Sequence, residues 1–211
     1  MIDPIMGSMA TSPSTERRRG RPREFELEPV LDAAVHAFCE RGYHGTSITD
    51  LAAVTGLTAG SLYKAFSDKD AMYLAALEHQ AGRRTAELRA AVDAASSGRE
   101  KLSAALGVYA ELSTGARGRE GCLVVETLVD IGALDQSATE YARRTLRQRR
   151  VLFADLVTLG KADGSIPRHI DTQAVAATLL SLVQGMRVLG KTDPDPDLIA
   201  SVVTSALLLV S

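Results

Sequence analysis

Residues 46–66 read TSITDLAAVTGLTAGSLYKAF, a stretch with two helix-start signals separated by a single glycine. Ser47 is placed to accept from the amide of Asp50, whose carboxylate reaches back in a weak capping box, so one helix is predicted to begin at Ile48. Ile48, Leu51 and Ala52 give it an apolar face. Gly56 supplies the left-handed conformation that ends a helix at little cost, and Thr58 caps a second helix directly afterwards. Leu57 before that cap and Leu62 at the fourth helical position form a hydrophobic staple that sets the angle of the incoming chain. Two short helices at a steep angle follow, the geometry of a helix-turn-helix reader of DNA.

The second of these helices has an unusual outer side. Thr58, Ala59, Gly60 and Ser61 are small, and Tyr63 and Lys64 come next. Small side chains let a helix lie deep in the ~12 Å wide major groove. The alternative is an ordinary surface helix in which Gly60 is a defect costing about 1 kcal/mol of helix propensity. That alternative leaves the two caps and the basic segment upstream as coincidence.

At these positions the chain resembles the TetR family of repressors. The resemblance spans residues 25 to about 77 and rests on anchors at fixed spacing: Ala34, Phe38, Gly42-Tyr43-His44-Gly45-Thr46-Ser47-Ile48, Thr49-Asp50-Leu51-Ala52, Gly56-Leu57-Thr58, Gly60-Ser61-Leu62-Tyr63 and Phe66-Ser67-Asp68-Lys69. It implies that Thr46, Tyr63 and Lys69 hold phosphates while Thr58, Ala59, Ser61 and Lys64 meet the bases, and Gly60 is a further DNA-binding position whose smallness lets the helix approach. Lys69 is also physically apt, since Asp68 caps the helix it starts and free amides there favour an anion. Ala65 departs from the pattern, which has a large polar or aromatic residue at this place, so the resemblance implies no backbone contact from this position.

A formal charge of −2 over 211 residues confines any DNA contact to a local patch. Residues 16–24, ERRRGRPRE, hold five arginines in nine positions. Arg19-Gly20-Arg21-Pro22 is similar to an AT-hook core, in which Arg19 and Arg21 would enter a narrow minor groove; otherwise the segment is a solvated charged tail. Residues 1–8 look like a cloning remnant, and residues 1–24 as a whole are expected to be disordered without DNA. Neither a signal-peptide core nor a run of ~20 apolar residues is present, so a cytoplasmic protein without a membrane partner is expected. Cys39 and Cys122 are too few and too far apart for a disulfide framework or a metal cluster.

The expected organisation is all-α: a helix-turn-helix domain at 25–70 and a helical regulatory and dimerisation domain at 71–211, joined by a helix over 71–94. The first helix is predicted over 28–41, with Leu31, Ala34 and Phe38 on one face and Gly42 as its stop. Further segments are predicted over 100–112, 122–131, 137–162, 172–189 and 198–210, divided by turns at 113–119, 132–136, 163–168 and 190–196. With the first four this gives about nine helices, the number the TetR resemblance implies.

The last two segments have wide apolar stripes. Leu179, Leu182, Gly185 and Met186 on one, and Val202, Ala206 and Leu209 on the other, are either covered within one chain or paired with their copies across a two-fold axis. A symmetric reader needs two recognition helices ~34 Å apart, which predicts a homodimer on a palindromic operator of double-stranded DNA.

Candidate residues for an unknown small-molecule inducer are Tyr109, Cys122, Glu126, Tyr141, Phe153 and Met186, of which Tyr109, Tyr141, Phe153 and Met186 also suit a plain core. The 122–131 segment is expected to be buried on both sides, so Glu126 either meets a basic side chain or awaits a ligand. Cys122 starts that segment, where the helix end lowers a thiol's pKa, or it is an inert small hydrophobe. The resemblance adds that some relatives with a similar Gly-Cys-Leu use this cysteine. Arg143, Arg144, Arg147, Arg149 and Arg150 crowd one helix, as solvated ion-pairing positions or as an anion site. The sequence has no nucleophile elbow, phosphate loop or dinucleotide fingerprint, and His36, His44, His79 and His169 lack metal spacing. It therefore predicts a ligand-responsive repressor without enzymatic activity, cofactor or metal. The rival readings are an architectural A·T-preferring DNA-binding protein and a cysteine-based redox-sensing repressor.

Overall fold

The computed structural model describes residues 26–132 and 134–211. Arg19, Arg21 and the rest of the basic segment lie outside the described residues. The elements, in order, are α1 (Leu27–Arg41), α2 (Ile48–Thr55), α3 (Ala59–Ala65), α4 (Lys69–Ala94), α5 (Gly98–Glu111), α6 (Gly115–Glu120), α7 (Leu123–Val129), α8 (Gln136–Asp163), α9 (Thr172–Leu189) and α10 (Pro196–Leu207). Short 3-10 turns follow α9 and α10. Among the described residues there is no strand, and no helix is long and apolar enough to cross a membrane.

The helix boundaries follow from local chemistry. Ser47 and Asp50 form the full reciprocal capping box at the start of α2, and Gly56 ends that helix at φ 68° and ψ 14°. Thr58 caps α3 by accepting from the amide of Ser61, and Asp68 caps α4 by accepting from Ala71. Ser97 and Glu100 make a second capping box, so α5 begins at Gly98, two residues before its predicted start. The 113–119 turn is corrected: it contains α6, closed at Gly121 with φ 85°. The other sequence-predicted helices are all present, with ends displaced by a few residues.

The core has two parts. Phe38, Leu51, Leu62, Met72, Tyr73 and Leu77 hold α1 to α4 together and continue into Leu123 and Val124 of α7. Phe38 and Tyr73 meet edge-on with centroids 5.0 Å apart. The second part unites the end of α4 with α5, α8, α9 and α10 around Leu88, Leu102, Leu106, Phe153, Val157, Leu179 and Ile199. The long helix α4 supplies residues to both, so it is the mechanical link between the reader and the larger helical body.

Candidate nucleic-acid interface and adjoining cavity

Helix α3 hangs on its apolar side. Leu62 is buried, and Phe66 just past the helix end joins it in the core. Thr58, Ala59, Gly60, Tyr63 and Lys64 are exposed on the other side, and Ser61 is half-buried. A Cβ added at Gly60 would meet only Thr58 Oγ1, 3.9 Å away, so nothing inside the chain requires glycine there. Tyr63 is 54% exposed.

Two sequence-predicted phosphate contacts have internal duties. Thr46 is fully buried, and its hydroxyl donates to Gly42 O at 2.7 Å and to Ala37 O at 3.3 Å. Its side chain therefore locks the α1–α2 turn and cannot meet a phosphate, which corrects that assignment. Lys69 Nζ donates to Tyr43 O at 3.0 Å and Thr46 O at 3.2 Å, and lies 4.0 Å from the Tyr43 ring centroid. An ammonium has three donors, so one remains for an outside acceptor.

Behind the reader, between α4, α5, α7, α8 and α9, lies a cavity of about 30 Å3. It is lined by Arg84, Leu88, Val108, Tyr109, Leu112, Cys122, Val124, Arg149 and Arg187, among others. Arg84 and Arg187 both donate to one carbonyl oxygen, Gly121 O, at 2.7 and 2.6 Å. Arg149 donates to Thr85 Oγ1 at 2.8 Å. Arg84 Nη1 and both Nε and Nη1 of Arg187 are buried without a hydrogen-bond partner among the described residues. The two guanidinium groups hold the Cys122 thiol below the ordinary range although burial opposes this, with help from the Val124 and Val125 amides. Burial, and then the charge of Arg84, press the Arg187 guanidinium down.

The sequence-predicted ligand residues divide. Tyr109 and Cys122 line the cavity. Phe153 and Met186 are sealed in the core, because their positions on α8 and α9 face neighbouring helices rather than the cavity. Tyr141 stands away from it, with the Arg144 guanidinium 5.1 Å from its ring centroid. Glu126 also lies elsewhere: it accepts from Lys191 Nζ, the basic-partner alternative, and burial raises its pKa against that pairing. Val129 and Ile131 are exposed, so the segment is not buried on both sides; α7 stops at Val129 before its outer positions can dock. Arg84 and Arg187 were missed, and only Arg149 came from the arginines noted on α8.

Sequence comparison bears on both sites. The family model described as bacterial regulatory proteins of the tetR family matches residues 30–76, and that of the tetracyclin repressor-like C-terminal domain matches residues 98–206. The second alone covers more than half of the chain. The chain belongs to the TetR family.

As a TetR-family transcriptional regulator it carries a DNA-binding helix-turn-helix. It is 28% identical over 176 residues to the transcriptional repressor ComR of Escherichia coli, covering 82% of this chain and 83% of ComR. Among solved structures it resembles the TetR family regulator CifR complexed with 26bp double-strand operator DNA, at TM-score 0.78 and 28% identity, over 90% of this chain and 98% of CifR. The fold is also that of FadR from Bacillus subtilis in complex with stearoyl-CoA, at TM-score 0.70 and 20% identity, over 88% of this chain and 98% of FadR.

The TetR-like body revises the dimer-face assignment in part. Leu179, Met186 and Ala206 are buried within the single chain, because they point at α5 and α8 rather than outward. Gly185 and Leu209 are exposed, and Leu182 and Val202 are half-buried. Val188 on α9 at 53%, Leu198 on α10 at 51% and Leu208 in the turn after α10 at 69% are further exposed apolar residues.

Proposed function

We propose that this regulator is a homodimeric repressor that binds a palindromic operator and leaves it when a small molecule occupies the body. The observation that carries the reading is the reach of α4, which buries Met72, Tyr73 and Leu77 against the reader and Arg84 and Leu88 beside the cavity. Occupancy that displaces the lower half of α4 also displaces α3. In a dimer this changes the spacing of the two reader helices, and a coupling of ~1 to 3 kcal/mol is enough to release DNA.

Base contacts are assigned to Thr58, Ala59, Gly60, Ser61 and Lys64, with Tyr63 and the remaining Lys69 donor on phosphates. Arg19 and Arg21 would add minor-groove contacts, and removal of residues 1–23 would then lower the salt slope by about one unit for each phosphate no longer neutralised. Such a protein works in the cytoplasm. The partner copy is assigned to the exposed Gly185, Val188, Leu198, Leu208 and Leu209 with the half-buried Leu182 and Val202, since exposed apolar side chains of this kind call for cover. CifR bound to operator DNA supports the DNA partner.

The test is a gel-shift titration of an operator fragment, with light scattering of the free protein. A dimer that shifts one palindrome and is released by a metabolite supports the proposal; a monomer, or binding indifferent to sequence, refutes it. A second reading, that Cys122 itself is the sensor, is favoured by the two guanidinium groups that hold its thiol down. Oxidant release of DNA that is abolished in Cys122→Ser would select it.

A further inference from the structure

The cavity is charged in a one-sided way. Arg84, Arg149 and Arg187 are each at least 91% buried, and no carboxylate pairs with any of them among the described residues. A buried cation without an anion is costly, and three donor nitrogens of Arg84 and Arg187 are unpartnered besides. Glu87 and Glu120 stand in the cleft on the far side of Arg84, outside the lining of this cavity. The carbonyl of Gly121 satisfies one nitrogen of each guanidinium but carries no charge, and the Cys122 thiol in the same lining can offset at most one of the three cations. The rest of the lining is chiefly hydrocarbon: Leu88, Val108, Leu112, Val124 and Leu146.

We propose that this cavity binds the carboxylate of a short aliphatic acid, with Arg84 and Arg187 on the carboxylate oxygens and the alkyl chain against Val108, Leu112 and Leu146. The identification rests on the proposed ligand-responsive function and names the chemical class of its ligand. A planar guanidinium fits a carboxylate through paired N–H groups, and two guanidinium groups that already share one carbonyl face the same point. Size limits the acid. The cavity of about 30 Å3 is partly open and has room for roughly one water, so a chain of a few carbons must extend toward the half-buried rim at Val108, Leu146 and Gln184.

The site is also placed to be felt by the reader. Arg84 and Arg187 hold Gly121, and two residues on Gln80 Oε1 accepts from the amide of Leu123 at 3.0 Å. Gln80 belongs to α4 and its amide group also donates to Cys39 Sγ of α1, 3.7 Å away. A carboxylate that draws either arginine off Gly121 therefore loosens the segment of residues 121–123 against both helices.

Calorimetric titration of the full chain with butyrate, butyramide and inorganic phosphate tests the assignment. Butyrate is expected to bind at least about tenfold more tightly than its uncharged isostere, and phosphate not measurably, because the walls beyond the arginines are apolar. Arg84→Met and Arg187→Met should each weaken butyrate by about tenfold or more while circular dichroism shows the helices intact. If either variant fails to fold, the acid and amide comparison in the unaltered chain decides alone. Equal binding of acid and amide, no binding of either, or phosphate binding as tight as butyrate overturns the site. Butyrate that binds without releasing operator DNA leaves the site standing and removes the ligand-responsive function; release by a neutral compound, with butyrate inert, does the reverse.

Discussion

Lys69 Nζ, at the first position of α4, donates to Tyr43 O at 3.0 Å in the turn between α1 and α2. The same ammonium reaches Thr46 O and the Tyr43 ring, so one residue ties the connecting helix to the frame of the reader. Replacing it by methionine keeps the stem and removes two charge-assisted bonds. Lys69→Met should destabilise the protein by about 1 to 2 kcal/mol in urea unfolding, the low end of such bonds because the group is half-exposed. It should also weaken operator binding more than the removal of a single phosphate-binding group would. Unchanged stability would show that the tether carries no load.

Thr46 and Lys64 separate frame from contact. The buried Thr46 hydroxyl serves two carbonyls, so Thr46→Ala is expected to cost about 1 kcal/mol of stability and to leave the salt slope of DNA binding unaltered. Lys64 is exposed on α3, and Lys64→Ala should do the opposite, preserving stability and lowering the slope by about one unit. Binding titrations over a salt series, beside unfolding curves, read both.

Helices α5 and α8 cross at two glycines. A Cβ on Gly98 would stand 2.1 Å from Gly160 N and 2.4 Å from Gly160 Cα, both backbone atoms that cannot yield. Gly98→Ala should therefore force the helices apart and destabilise by about 3 kcal/mol, with a lower thermal midpoint. An alanine tolerated there would contradict the close crossing.

The two thiols are expected to titrate on opposite sides of the ordinary value of 9.0. Burial raises Cys39, while Arg84 and Arg187 bring Cys122 down. Ultraviolet thiolate absorbance should thus appear below pH 9.0 in Cys39→Ser and be absent there in Cys122→Ser, and Arg84→Met should move the Cys122 transition upward. The sign for stability follows. A lowered thiol pKa contributes stability above the unfolded value, and that contribution is lost as pH falls through the folded one.

The reader half was legible because its signals are local. Ser47 with Asp50, Gly56 and Thr58 each act within a few residues of themselves, and a cap is visible wherever its sequence occurs. The body was legible only as helices. Which face of α9 meets α5 and α8 depends on packing across the chain, so Leu179 and Met186 looked the same as the outward Val188. The arginine cavity was partly visible: Arg84 recurs with Tyr73, Leu77 and Leu88 at helical spacing on the buried face of α4, a polar residue in an apolar stripe. The same is true of Arg187 beside Val183 and Met186. Their convergence on Gly121 joins three separate stretches of chain, and no local pattern encodes it. The buried Thr46 was hidden for a related reason, since its acceptors lie in the preceding helix and turn.

Selection of genomic fragments by the purified protein at ~150 mM salt, where counterions suppress nonspecific contacts, tests the central claim most directly. The expected result is recovery of one or a few palindromes whose half-sites lie about one helical turn apart, bound by a dimer. Recovery of scattered A·T-rich fragments with no shared motif would contradict it and make this an architectural DNA-binding protein instead.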